Sequence, residues 1–84
     1  MTQVTFNFWA GARAAARTPS ETVEAVTVAE ALDAVLARHD EDRFTRVIRA
    51  SSLLVDGITA SETMLQRRLE GSTVVEVLPP FAGG

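Results

Sequence analysis

The residues of this chain best suited to chemistry are its last six: Pro79, Pro80, Phe81, Ala82, Gly83 and Gly84. The two prolines stiffen the start of this segment, and six extended residues reach about 20 Å. Glycine has no Cβ and accepts backbone angles closed to other residues, so a Gly-Gly end fits a narrow channel that would reject a side chain. The pattern predicts that the Gly84 carboxylate can be placed well inside another protein.

The alternative interpretation of this segment is a frayed tail, because chain ends with small residues are commonly disordered. Here, however, the two glycines follow the most β-prone run of the chain, Thr73–Leu78, and then two prolines and an aromatic residue. Proline cannot donate to a strand ladder, so the strand ends where the arm begins. This combination predicts that residues 79–84 form a functional arm, which we also call the tail. The arm is attached to a folded domain that comprises residues 1–78.

Other polar residues are weaker candidates for a site. His39 is the only histidine and lies at the end of the predicted main helix, so we expect it on the surface, where a cation interacts well with the helix dipole. The acidic run 40–42 lacks the spacing of a calcium loop and is typical of a solvated segment. Ser51 and Ser52 have no histidine placed by a motif to activate them. No metal site is predicted.

Three arginines, Arg43, Arg46 and Arg49, are spaced at i, i+3 and i+6. On a helix this spacing spreads them over a broad face. The simpler interpretation is a solvated face, and the alternative is a docking stripe for an acidic partner.

Composition narrows the possible functions. A chain of 84 residues forms one domain with a thin core, too small for a deep enclosed active site. The net charge of −3 does not suit a nucleic-acid binder. No apolar stretch is long enough to span a membrane. The absence of cysteine excludes disulfides and thiolate metal sites, and we expect a cytoplasmic protein.

All eight basic residues are arginine, so the only primary amine is the N-terminus. If the C-terminal carboxylate were activated, the chain would therefore have no lysine of its own to acylate. A GC-rich genome, which favours arginine codons, explains the same bias.

Hydrophobic periodicity predicts the elements that position the arm. Residues 4–8 alternate with period two and indicate a half-buried strand, which places Trp9 opposite Phe6 and Phe8. Residues 11–19 are interpreted as a connection with at most one helical turn, and residues 21–26 as a second strand. Thr27 and Glu30 form a capping box that opens the main helix, residues 28–39.

In the second half of the chain the pattern predicts shorter elements. They are an amphipathic turn or two around residues 44–48, strands at Ser52–Val55 and Ile58–Thr59 joined by an Asp56-Gly57 hairpin turn, a short helical or turn segment at 65–69, and the last strand, Thr73–Leu78. One helix cannot cover both faces of a sheet. We therefore predict an α+β domain in which a mixed sheet packs on one face against the main helix, leaving the other face to water or a partner.

The segment VLPPFAGG (residues 77–84) resembles the terminal signature of the small subunit of molybdopterin synthase, within the wider group of ubiquitin-like bacterial sulfur carriers. Looser similarities are FWAGAR (8–13) to an aromatic pair, alanine and arginine of the family, TVAEAL (27–32) to its first helix, and LVDG (54–57) to its middle hairpin. The resemblance covers essentially the whole chain, and its specific part is the tail.

The resemblance implies a ubiquitin-like β-grasp fold and a carrier cycle. An adenylating, E1-like enzyme uses ATP to activate the Gly84 carboxylate, and a persulfide sulfur displaces AMP to leave a terminal thiocarboxylate. Residues 79–83 then insert into a larger catalytic subunit, where the sulfur is donated to precursor pterin for the molybdenum cofactor. The chain would bind no cofactor and would not be an enzyme by itself.

The same resemblance implies that the first and last strands pair. Trp9 and Leu78 would then lie together on the helix-free face, near the tail. An exposed aromatic residue in that place is what a binding hot spot needs, so both are candidate partner contacts. The alternative is that the alanine-rich segment folds over Trp9.

The sequence is compatible with three other functions. The carrier could supply another acceptor, in thiazole, cysteine or thiolated natural-product synthesis. The chain could be a protein modifier joined through Gly84 to lysines of target proteins. It could also be an interaction module with an inert tail.

Overall fold

A computed structural model of the chain describes residues 1–80. Its elements, in chain order, are β1 (Thr2–Phe8), α1 (Ala10–Ala16), β2 (Ser20–Ala25), α2 (Val28–Ala37), α3 (Asp42–Ala50), β3 (Ser52–Val55), β4 (Ile58–Thr59), α4 (Glu62–Gln66) and β5 (Thr73–Leu78). The predicted order of the five strands and the main helix is confirmed. None of the helices within residues 1–80 has the length and apolar character required to cross a bilayer.

The strands form one mixed sheet in the order β2-β1-β5-β3-β4. The first and last strands run parallel at its centre, in a register that pairs Val4 with Thr73 and Phe8 with Val77. The other neighbouring strands are antiparallel. The pairing of the first and last strands, which the resemblance implied, places the end of β5 in the middle of the sheet.

All three longer helices pack on one face of this sheet. The core comprises alternate residues of the strands (Val4, Phe6, Phe8, Val23, Ala25, Val55, Val75, Val77) and one stripe from each of α1 (Ala12, Ala15, Ala16), α2 (Val28, Ala31, Val35) and α3 (Phe44, Ile48). The opposite face, which we call the open face, carries the intervening strand residues and is covered by no helix of the described part of the chain.

The prediction that residues 11–19 form a connection was wrong. They fold largely as α1, whose buried alanines recur at i, i+3 and i+4. Alanine has the highest helix propensity, and its small side chain lets the helix lie close to the sheet. Three helices therefore pack on the core, whereas the sequence analysis predicted α2 alone.

Local signals were otherwise accurate to within a few residues. The Thr27 side chain accepts a hydrogen bond from the Glu30 backbone N–H at 3.1 Å, which confirms the N-terminal cap of α2. Asp56 and Gly57 have φ angles of +49° and +85°, the left-handed pair that a tight hairpin turn requires. The helix predicted at 65–69 begins earlier, at Glu62, because the Ser61 side chain caps it.

His39 does not lie on the surface as predicted. Its side chain is only 17% exposed, its Nε2 lies 2.5 Å from a carboxylate oxygen of Glu21, and its ring stacks on Phe44 with centroids 3.9 Å apart. Glu21 pairs with Phe6 across β1 and β2, so this cluster belongs to the helix-covered side. The sole histidine is a packing residue of the core margin.

Candidate partner interface and tail exit

The chain leaves the sheet at the end of its central strand, β5, at a point that we call the tail exit. β5 ends at Leu78, as predicted, and Pro79 and Pro80 follow it within the described residues. The predicted tail residues Phe81, Ala82, Gly83 and Gly84 lie outside the described residues. Their role, and the division of the chain into a domain over 1–78 and a tail over 79–84, stay predictions.

Trp9 lies beside this exit. Its backbone N–H donates to the carbonyl of Val77 at 3.3 Å, and its indole Nε1 donates to Oε1 of Glu76 at 2.6 Å. Because Val75 and Val77 point into the core, the Glu76 side chain points to the open face, and the indole lies there with it. Trp9 is 50% exposed, so α1 does not cover it.

Leu78 lies on the same face, two residues along β5 from Glu76, and is 36% exposed. Val74 is also exposed on this face, and Leu54 pairs with Glu76 from β3. We call Trp9, Leu54, Val74 and Leu78 the open-face patch. The structure thus brings the two predicted contact residues together next to the tail exit, in an apolar patch that surrounds one carboxylate.

Glu76 anchors the indole of Trp9, and the sequence analysis missed this residue. Its Oε2 accepts a 3.0 Å hydrogen bond from Nδ2 of Asn7, its direct neighbour across the β1–β5 pair. Both carboxylate oxygens are therefore engaged, one by Asn7 and one by Trp9. The sequence feature that could have identified Glu76 is its place as a charged residue inside the most β-prone run of the chain, since carboxylates are rare in strands.

The rest of the open face is polar. Thr5 and Thr22 share a 3.0 Å hydrogen bond between their hydroxyl groups, and Glu24 is exposed further along β2. Apolar contact area is thus concentrated around β5, with polar residues at its rim, as in many protein–protein interfaces.

The described residues place an exposed apolar surface beside the end of β5. Residues 1–80 contain no cluster of three or more side chains suited to hold a metal ion. His39 is engaged by Glu21 and Phe44 on the helix-covered side, away from Trp9. The arrangement can hold another protein against the open-face patch, next to Pro79 and Pro80 at the end of β5.

No protein-family model matches the chain, and no curated protein matches it in sequence. Among solved structures, it is similar to small archaeal modifier protein 1 from Methanosarcina acetivorans, with a TM-score of 0.80 and 22% identity over 100% of this chain and 98% of that one. A putative molybdopterin converting factor subunit 1 from Pyrococcus furiosus gives 0.75 and 21%, over 95% and 99%.

A third structure is a complex of subunits 1 and 2 of the molybdopterin-converting factor from Helicobacter pylori, with a TM-score of 0.68 and 18% identity over 98% of this chain and 99% of that chain. Likeness at these identities shows the fold. The chain therefore has the ubiquitin-like β-grasp fold of the archaeal modifier and molybdopterin converting factor subunit 1 proteins, as the resemblance of its sequence implied.

Proposed function

We propose that this chain is a cytoplasmic sulfur carrier whose Gly84 becomes a thiocarboxylate and donates its sulfur to precursor pterin in molybdopterin synthesis. The observation that carries the proposal is the position of the tail exit. Pro79 and Pro80 leave a β-grasp domain from the centre of its sheet, beside the exposed Trp9 and Leu78. Four more residues, ending in Gly83-Gly84, then bring the carboxylate within reach of a partner's interior.

The chemistry requires activation because a carboxylate is a poor electrophile. An adenylating enzyme joins the Gly84 carboxylate to the α-phosphate of ATP and releases pyrophosphate. The terminal sulfur of a persulfide donor attacks the carbonyl carbon, AMP leaves, and a second thiol reduces the resulting acyl disulfide. The products are the thiocarboxylate and a disulfide on the donor side.

Donation then takes place in a partner. The thiocarboxylate sulfur forms a C–S bond with an electrophilic carbon of the pterin while an oxygen substituent leaves that carbon. Water then hydrolyses the resulting thioester, which returns Gly84 to a carboxylate and leaves a thiol on the pterin. The chain is a co-substrate in this cycle. The larger catalytic subunit supplies the acid, base and cationic groups. The Helicobacter pylori complex of subunits 1 and 2 supports a second subunit as the partner.

The open-face patch is the docking surface in this proposal. Trp9 has the area and the exposure of a hot-spot residue, and its hydrogen bond to Glu76 fixes its orientation before binding. The activating enzyme and the larger subunit both need access to the same tail, so both would bind against this face in turn.

A second candidate function is protein modification, and the similarity to small archaeal modifier protein 1 favours it. In that case Gly84 would form isopeptide bonds with lysines of other proteins. The chain itself has no lysine, so it could not form chains through its own lysine side chains. A third candidate is a carrier that supplies sulfur for the synthesis of thiazole, cysteine or a thiolated natural product.

The acceptor can be tested with a thiocarboxylate prepared chemically at Gly84, which bypasses the activating enzyme. The thiocarboxylate form of the protein is mixed with the larger synthase subunit and precursor pterin. The masses of the protein and of the pterin are then followed. The proposal predicts that the protein returns to the carboxylate mass while the pterin gains sulfur. Sulfur transfer only to thiazole- or cysteine-forming enzymes, or isopeptide adducts on lysines of added proteins, would contradict it.

A further inference from the structure

A groove lies on the other side of the tail exit from the open-face patch. It has a volume of about 530 Å³ and lies between the start of α1, the exposed side of α3 and the end of the described chain. Its apolar walls are Ala10, Gly11, Val47, Ala50, Pro79 and Pro80. Pro79 continues the inward register of Val75 and Val77, so the groove opens on the helix-covered side. We call it the exit groove.

Two exposed arginines line the same groove, Arg43 and Arg46, one turn apart on α3. Neither is within ion-pair distance of a carboxylate in residues 1–80, whereas Arg17 and Arg38 are paired with Glu41 and Glu21. Like charges three residues apart on a helix repel each other. The two guanidinium groups give the apolar groove a positively charged margin, and a partner segment that carries carboxylates would relieve their repulsion.

The position of the groove relates it to the tail. Pro79 and Pro80 are part of its wall, while Trp9 and Leu78 flank the same exit from the open face. A protein that receives the tail in a channel must surround the exit and therefore contacts both flanks. The open-face patch provides one flank and the exit groove the other.

We propose that the exit groove is a second docking surface for the larger catalytic subunit, and that it takes an acidic segment of that subunit with one aromatic or branched aliphatic side chain. The apolar side chain fills the space between α1, Val47 and Ala50, and the flanking carboxylates pair with Arg43 and Arg46. This inference rests on the proposed function, because the segment belongs to the protein that receives the tail.

The test measures the affinity of the full chain, with Gly84 as a free carboxylate, for the larger subunit. Calorimetry is carried out at low and high salt. The variant Arg43→Glu/Arg46→Glu should weaken binding roughly tenfold or more, because like charges then face each other. It should also lose most of the salt dependence of the wild-type affinity. The control is Arg67→Glu/Arg68→Glu, which makes the same change in net charge at two exposed residues near the start of β5, and it should bind nearly as the wild type does.

A second variant, Ala50→Trp, tests the apolar part of the groove without changing charge. Ala50 is exposed at the last position of α3, so the domain should tolerate the larger side chain. Thermal unfolding verifies that each variant folds. Ala50→Trp should also weaken binding, since the indole occupies the space for the partner's side chain.

Several results would overturn the inference. Equal binding of wild type and both groove variants would exclude the groove as a contact while leaving the proposed function intact. If Phe81→Ala binds the larger subunit more tightly than wild type does, the chain's own tail fills the groove. If wild type forms a dimer that Arg43→Glu/Arg46→Glu does not form, a second copy of the chain fills it. Absence of wild-type binding would overturn the proposed function and this inference with it.

Discussion

The indole Nε1 of Trp9 donates a 2.6 Å hydrogen bond to Oε1 of Glu76, a residue 67 positions later in the chain. Glu76 in turn accepts from Asn7 at 3.0 Å. This pair of bonds attaches an exposed aromatic side chain to the two central strands, directly before the tail. A side chain that is already held in one orientation loses less entropy on binding, which supports the proposed contact role of Trp9.

Replacement of Trp9 by alanine tests the open-face patch. Because Trp9 is half exposed, we expect little loss of fold stability. We expect its loss to cost about 2 kcal/mol or more of binding free energy, roughly thirtyfold in Kd for the larger subunit. Calorimetry measures the effect. Thr22→Ala, on β2 at the edge of the same face, serves as the control, and equal affinities of the two variants would contradict the assignment.

Glu76→Ala should release the indole while leaving Trp9 in the chain. Trp9 is the only tryptophan, so its fluorescence reports on this site alone. We expect the fluorescence anisotropy decay to show faster local motion of the indole in Glu76→Ala than in wild type, with an intermediate effect in Glu76→Gln, which keeps one acceptor oxygen. Glu24→Ala, on the same face, is the matched control. Unchanged local motion in Glu76→Ala would show that the hydrogen bond does not hold the ring.

His39 and Glu21 should be energetically coupled. The Glu21 side chain is only 14% exposed, and His39 provides its 2.5 Å partner, while Arg38 is 3.6 Å from the other oxygen. Removal of His39 also removes the stack on Phe44. We expect His39→Ala to lower the free energy of unfolding by about 2 kcal/mol, since it leaves a buried polar group poorly paired.

A double-mutant cycle by urea denaturation separates this coupling from simple loss of packing. If the two side chains stabilise each other, Glu21→Ala/His39→Ala costs clearly less than the sum of the single variants. Additive losses would mean that the contact contributes nothing beyond the packing of each side chain.

Arg17 ends α1 with a φ of +62°, and its backbone N–H donates to the carbonyl of Arg13 at 2.9 Å. Non-glycine residues pay about 1 kcal/mol or more in this left-handed conformation. Arg17→Gly should therefore be more stable than Arg17→Ala by about 1 kcal/mol. The lost ion pair with Glu41 is solvent-exposed and common to both variants. A thermal midpoint for Arg17→Gly at or below that of Arg17→Ala would contradict this account.

Local patterns predicted much of the fold because their causes are local. The alternation in β1, the cap at Thr27 and the turn at Asp56-Gly57 depend on neighbouring residues, and each was located within a residue or two. α1 was missed because an alanine-rich segment before Thr-Pro also fits a linker, and its burial depends on α3 and the sheet.

The candidate site was predictable only in part. Trp9 and Leu78 could be placed together once the first and last strands were paired. Glu76 could not be linked to Trp9, because the bond joins residues far apart in sequence and requires the indole to turn back over β5. The burial of His39 depends in the same way on Glu21, a remote partner.

The most direct test of sulfur carriage by Gly84 is the intact mass of the protein after incubation with ATP, a matching activating enzyme and a sulfur donor. We expect a mass gain equal to replacing one oxygen atom by sulfur, and no gain in the variant that lacks Gly84. The absence of any gain with activating enzymes from several pathways would contradict the carrier function and favour a modifier or an inert interaction module.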